Sequence, residues 1–277
     1  MPFIKSTIIN TEPVNIYYED LGKGKPLVFI HGWPLSGAMW EYQVTELTGK
    51  GFRCVTYDRR GFGRSDKPYS GYDYDTMAGD LKTLLDELDL EDVTLIGFSM
   101  GGGEIAKYFK HYSDAHITKV VLVSSVLPYM LKTDDNPDGV PQAIFDDIAK
   151  GIKDDRPAFM ENFAKIFFGV ARANPPVSDA FLANNLARVM EASPIATLEC
   201  VNAFASTDFR EDVVKINVPT LIIHGDGDKI VPIKATGERS AELIKDASFI
   251  IYPDAAHGLW YTEKEQLNKD IFGFVSQ

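Results

Sequence analysis

The chain has 277 residues, 45% of them hydrophobic and 25% charged, and carries a formal net charge of −12. That is ordinary globular composition with length for one large core, and its acidic balance, without a block of Lys and Arg, excludes a phosphate-tracking surface and hence a nucleic-acid partner. Two cysteines, Cys54 and Cys200, are too few for a disulfide framework, and no run reaches the roughly 18 apolar residues that span a bilayer.

The chain opens on Met1-Pro2-Phe3-Ile4-Lys5, without the basic region and long apolar stretch of a signal peptide, so the expected protein is cytoplasmic, with no membrane partner. Residues 2–10 and 14–19 alternate like an antiparallel pair joined by a turn at Thr11-Glu12-Pro13. Continuous apolar runs follow at 26–31, 52–57, 93–97, 119–124, 218–224 and 247–252. Such runs predict strands buried on both faces, as in a parallel sheet covered by helices. Cys54 and Cys200 each sit in an apolar run, which predicts buried free thiols.

Helical spacing separates the strands: Tyr74, Met77, Leu81, Leu84, Leu85 and Leu88; then Ile105, Phe109 and Tyr112; then Leu267, Ile271 and Phe274. The alternation predicts an α/β fold with a mostly parallel, eight-stranded sheet, antiparallel at its opening edge, and helices on both faces. Residues 127–215 interrupt it with aromatic-rich helical patterns, including Phe159, Phe163, Ile166 and Phe167 and a second run through Phe181, Leu182, Leu186 and Met190. The peptides Asp134-Asp135-Asn136-Pro137-Asp138-Gly139 and Asn174-Pro175-Pro176 punctuate this stretch. The expected organisation is a core of 1–126 and 216–277 with a helical cap at 127–215 inserted between the sixth and seventh strands.

Gly97-Phe98-Ser99-Met100-Gly101 is G-x-S-x-G between a strand and a helix. A serine on so tight a turn needs neighbours two residues away without side chains, and the turn pushes its Oγ into the cleft at the end of the sheet. The helix N-terminus beside it favours a developing anion.

A serine hydroxyl is a weak nucleophile and needs a base. Of the five histidines, His111 and His116 lie beyond the far end of the nucleophile helix, and His31 and His224 end strands before glycine and read as packing residues. His257 follows the last strand, at the carboxyl edge where open α/β sheets put their sites. The base in turn needs a carboxylate. On position alone either Asp226 or Asp228, in the loop after strand seven, serves.

With these residues in view, the sequence resembles the α/β-hydrolase fold superfamily, and within it the cofactor-free haloperoxidase, perhydrolase and arylesterase group. The resemblance covers essentially the whole chain. It rests on His31-Gly32-Trp33-Pro34, the 57–65 peptide from Tyr57 through Asp58 and Arg59 to Ser65, Gly97 through Glu104, His224-Gly225-Asp226-Gly227-Asp228 and His257-Gly258. It implies a triad of Ser99, Asp228 and His257, the second aspartate of its loop being preferred. It also implies an oxyanion hole from the backbone N–H groups of Trp33 and Met100, and no metal or organic cofactor. The 58–65 loop is expected to be structural, through an Arg-bonded turn.

The implied activity is a serine esterase on small carboxylic esters, with a peracid-forming side activity in which hydrogen peroxide replaces water. Pro34, which fixes φ and lacks an N–H, is the residue expected to favour peroxide. Pro34, Phe98, Phe163, Phe204 and Ile230 are the expected pocket residues, suited to small or aryl esters. Lactonase or amidase chemistry on the same triad stays open, as does a ligand-binding signalling protein that retains the triad without turnover. The expected partners are a small-molecule ester or acid, peroxide, and further copies of the chain.

Overall fold

An apolar run without alternation is stable as a strand only where helices cover both of its faces, and the centre of this protein is built that way. The structure, a computed structural model, describes residues 2–9, 12–112, 116–170 and 175–277. Among the described residues eight strands form one sheet: β1 (Phe3–Ile9), β2 (Glu12–Gly22), β3 (Pro26–Ile30), β4 (Arg53–Tyr57), β5 (Val93–Phe98), β6 (Ile117–Val123), β7 (Thr220–Gly225) and β8 (Ala247–Tyr252). Their order is β1-β2-β4-β3-β5-β6-β7-β8; β1–β2 and β2–β4 pair antiparallel and all other neighbours parallel. Every residue of β3, β5 and β7 is buried.

Two expectations about strands need correction. β8 is an apolar run but not a buried one: it forms the sheet edge, and Ile251 is 45% exposed. Glu12 and Pro13 belong to β2 rather than to a turn. Pro13 lies where β2 has β1 as partner but has not yet met β4, whose pairing begins at Tyr18, so its missing N–H breaks no ladder between two neighbours. Thr11 of the expected turn, and Asn174 farther along, lie outside the described residues.

The helices are α1 (Glu41–Gly49), α2 (Tyr74–Glu87), α3 (Gly101–His111), α4 (Gln142–Phe167), α5 (Asp179–Met190), α6 (Pro194–Ser206), α7 (Arg210–Val213), α8 (Gly237–Leu243), α9 (Leu259–Thr262) and α10 (Lys264–Val275). α1 packs with α10 and α2 with α3. Between β6 and β7 the described residues hold α4 to α7 and, in place of strands, two isolated bridges. α4 is broken at Asp155 (φ −156°, ψ 86°). The Asp155 carboxylate caps the second arm by accepting from Ala158 N–H at 3.0 Å, and Pro157 enters that arm in its first turn, where no N–H is required. Gly151 lets the arms close on each other, since a Cβ there would lie 2.5 Å from the Phe159 ring. None of the helices is long and apolar enough to cross a membrane, among the described residues.

The 58–65 loop is pinned as expected, by buried arginines. Arg59 pairs with Glu104 in the first turn of α3, donates to His31 O at 2.7 Å, and shares Glu104 with the Tyr57 hydroxyl at 2.6 Å. Arg60 pairs with Asp80 of α2 at 2.6 Å. Asp58 accepts from the N–H groups of Gly37 and Arg64, each at 2.8 Å. Arg59 and Glu104 are both inaccessible to solvent, so removing one partner strands a buried charge. Arg59→Ala is therefore expected to cost about 3–5 kcal/mol in a denaturant melt. Replacing both partners with apolar residues is expected to cost less. Cys54 and Cys200 are buried free thiols, with burial pushing them up to about 11 and about 12 respectively.

Candidate active site

The sheet order reverses at β3: β4 lies on one side of it and β5 on the other. The loops leaving β3 and β5 therefore diverge, and a crevice opens at the carboxyl edge between them. Ile30 stands opposite Gly97 in that register, so the 31–34 peptide and the turn after β5 face one another.

Ser99 sits on that turn with φ 52°, a left-handed conformation that costs a non-glycine residue about 1–2 kcal/mol. The flanking glycines make it possible by close approach. A Cβ at Gly97 would lie 2.8 Å from Ile105 Cδ1 and 2.9 Å from the Gly101 backbone; one at Gly101 would lie 2.6 Å from Ile30 O. The turn is closed by Ser99 N–H donating to Val123 O (2.9 Å) and by Gly102 and Val126 N–H donating to Ser99 O (3.1 and 3.2 Å).

Three side chains from distant parts of the chain meet at this point. His257 Nε2 is 3.0 Å from Ser99 Oγ, and His257 Nδ1 is 2.6 Å from Asp228 Oδ2. An ionised carboxylate only accepts, so Nδ1 carries the proton and Nε2 is left to accept from the serine hydroxyl. Asp228 Oδ1 accepts from the N–H groups of Ile230 (2.8 Å) and Val231 (2.9 Å). The Asp228 and His257 side chains are 0% and 1% exposed. Burial opposes ionisation of Asp228, but the His257 charge and the hydrogen bonds from His224 and His257 overcome it and hold the carboxyl well below its ordinary range. Asp226, the alternative acid, is exposed and accepts from Asp254 N–H instead.

The Trp33 and Met100 amides flank this group: Trp33 follows Gly32, whose Cβ would lie 3.1 Å from Ser99 Cβ, and Met100 opens α3. Among the described residues, neither amide donates to a backbone carbonyl. The Trp33 indole donates to Thr197 O at 2.9 Å and packs edge-on against Phe163 and Phe204, so α4 and α6 hold it in place.

Above Ser99 and His257 lies a cavity of about 430 Å³. Both arms of α4 wall it, Phe145 and Ile148 from the first and Phe159, Phe163 and Phe167 from the second, together with Trp33, Phe204 and Ile230. The expected Phe163, Phe204 and Ile230 are thus cavity residues, whereas Phe98 and Pro34 are not. Phe98, the last residue of β5, instead packs against Trp40, Phe167 and the His257 ring, the last with centroids 4.9 Å apart. Pro34 follows Trp33 through a cis peptide bond and borders a small separate hollow with Leu35, Met160 and Val189. Phe167 was visible in the sequence only as a helix-face residue; its i, i+4 spacing from Phe163 is the signal that put both on the cavity side. Its ring meets His257 edge-on at 4.8 Å, and its carbonyl accepts from Gly258 N–H at 2.8 Å.

The family model for the alpha/beta hydrolase fold matches residues 25–264. Over 276 residues the chain is 46% identical to a putative non-heme chloroperoxidase of Synechocystis sp., covering 99% of this chain and 100% of that protein. It is 38% identical to a bifunctional esterase/perhydrolase of Acinetobacter calcoaceticus, over 97% of this chain and 98% of that one. The crystal structure of a bromoperoxidase from Bacillus anthracis superposes with a TM-score of 0.95 at 45% identity, covering 99% of this chain and 100% of that one. The chain belongs to the α/β-hydrolase fold family.

Proposed function

We propose that the protein is a serine hydrolase of small carboxylic esters that also transfers the acyl group to hydrogen peroxide. The observation that carries this reading is the continuous chain from Ser99 Oγ through His257 to Asp228 Oδ2, at 3.0 and 2.6 Å, at the floor of an apolar cavity. Ser99 Oγ attacks the ester carbonyl as His257 Nε2 takes its proton. The Trp33 and Met100 N–H groups hold the oxyanion, each such donor contributing about 3–4 kcal/mol to lowering the barrier. The carbon–oxygen bond to the alcohol breaks, and His257 returns the proton to the departing oxygen. Water or hydrogen peroxide then gives its proton to His257 and attacks the acyl-enzyme. Collapse restores the Ser99 hydroxyl and releases an acid or a peracid. Asp228 stays ionised throughout.

The cavity supports uncharged, partly aromatic substrates. Its two charged wall residues, Asp147 and Lys229, are both exposed, and the remaining wall is almost wholly apolar. A charge carried on the substrate's acyl group would lose its hydration there without a buried partner. Residues 127–215 act in this reading as a cap over 1–126 and 216–277 that sets specificity. The peroxide branch is supported by similarity to proteins named for that activity. The test is a panel of phenyl and short alkyl esters assayed with and without hydrogen peroxide. Hydrolysis of phenyl acetate with peracid appearing on addition of peroxide is the expected result, and no turnover of any ester contradicts the reading. Pro34→Leu is expected to lower the ratio of peracid to acid while leaving ester hydrolysis in place. An unchanged ratio removes Pro34 from the account.

A further inference from the structure

His224 ends β7 four residues before Asp228, and its side chain is wholly buried. Its Nε2 lies 3.0 Å from Val231 O and 3.4 Å from Asp228 Oδ2, the oxygen that also receives His257 Nδ1. A carbonyl only accepts, so His224 Nε2 carries a proton, donates it to Val231 O and holds its positive end 3.4 Å from Asp228 Oδ2. The opposite ring nitrogen, Nδ1, has no protein partner among the described residues and is backed by Gly237, where a Cβ would come within 2.7 Å. The ring is therefore wedged in one orientation. Val231 is tied twice to this group, its N–H donating to Asp228 Oδ1 at 2.9 Å and its O accepting from His224. The titratable groups facing the carboxylate are His257 from the loop after β8 and His224 from β7; Lys229 beside it is exposed.

We propose that His224 is a positioning residue that acts through Asp228: its Nε2–H fixes the orientation of the carboxylate toward His257 and shares its negative charge. This rests on Asp228 being the acid of the triad. A donor on Oδ2 withdraws charge from the oxygen that stabilises the His257 imidazolium. Without it, the carboxylate is free to turn out of line with Nδ1, which lowers the rate, and its undivided charge raises the proton affinity of His257, which moves the acid limb.

The test is a double-mutant cycle on ester hydrolysis, with pH profiles and melting curves for each protein. His224→Leu is expected to lower kcat about 10- to 100-fold, the range for one hydrogen bond to a charged group, with KM unchanged and the acid limb of the profile moved to higher pH. His224→Gln, which carries an N–H near the position of Nε2, is expected to recover most of the rate. In an Asp228→Asn background, His224→Leu is expected to add little further loss, because its effect runs through the missing carboxylate. If the leucine variant does not fold, His224→Asn, too short to reach Oδ2, takes its place in the cycle. A wild-type rate and profile in the His224 variant overturns the proposal, as does an equal loss in both backgrounds with an unmoved acid limb. Full activity in Asp228→Asn alone overturns the triad reading itself; a loss there beside a wild-type His224 variant overturns only the role of His224.

Discussion

Ser99→Ala is expected to lower kcat for a phenyl ester by about 10⁵- to 10⁶-fold, the effect of deleting the nucleophile of an acyl-transfer triad. Its fold is expected to persist. Alanine is smaller than serine and keeps the same backbone demand at φ 52°, and the backbone bonds that close the turn use no serine side-chain atom. The residual rate is expected to exceed the uncatalysed one, because the Trp33 and Met100 amides and the cavity remain in place. The check is a steady-state assay beside a thermal melt: activity lost with the melting temperature kept is the expected pair. An alanine variant with kcat within tenfold of wild type would place the chemistry elsewhere.

Asp228→Asn carries the second large effect, about 10⁴-fold in kcat. The amide keeps the shape of the carboxylate but inverts its logic: a donor facing His257 Nδ1 favours the tautomer with the proton on Nε2, where it cannot accept from Ser99. It also withdraws the negative charge that stabilises imidazolium in the transition state. The substitution has a pH signature in stability as well. The folded Asp228 carboxyl is held below its ordinary range, by His257 and His224 working against burial. The stability it contributes is thus fully present above its unfolded pKa, about 3.9, and is lost as pH falls through the lower folded value. Denaturant melts of wild type and Asp228→Asn are expected to differ above about pH 4 and to converge below it. A gap that is constant down to the most acidic pH reached would contradict the ion pair.

The central strands β3, β5, β6 and β7 were legible in the sequence because burial on both faces leaves an uninterrupted apolar run, and their ends differ from the expected ones by two residues or fewer. The same signal overstated β8, since a single chain does not say which strand forms the edge. Pro13 read as a turn because proline usually breaks a ladder; only the position of β4, beginning its pairing at Tyr18, leaves that place free. The convergence of Ser99, His257 and the strand-seven loop was legible because all three follow strands of one sheet at its carboxyl edge. Asp226 and Asp228 were equivalent by position alone, and burial separates them. The cavity wall was least legible. Phe98 and Phe163 are both pocket residues in expectation, yet Phe98 packs against Trp40 and the His257 ring and only Phe163 lines the cavity. The break at Asp155, which folds α4 into two walls, has a local signature in Asp155-Arg156-Pro157-Ala158, a capping aspartate ahead of a first-turn proline.

Acylation of Ser99 is the step on which everything else depends, and a fluorophosphonate, which phosphonylates an activated serine without turning over, measures it directly. Peptide mass mapping after incubation is expected to find one phosphonyl group per chain, on the peptide that contains Ser99, with esterase activity lost in proportion to labelling and labelling abolished in His257→Ala. Ester hydrolysis that continues undiminished in fully labelled protein, or a label that accumulates on another residue as activity disappears, would contradict it.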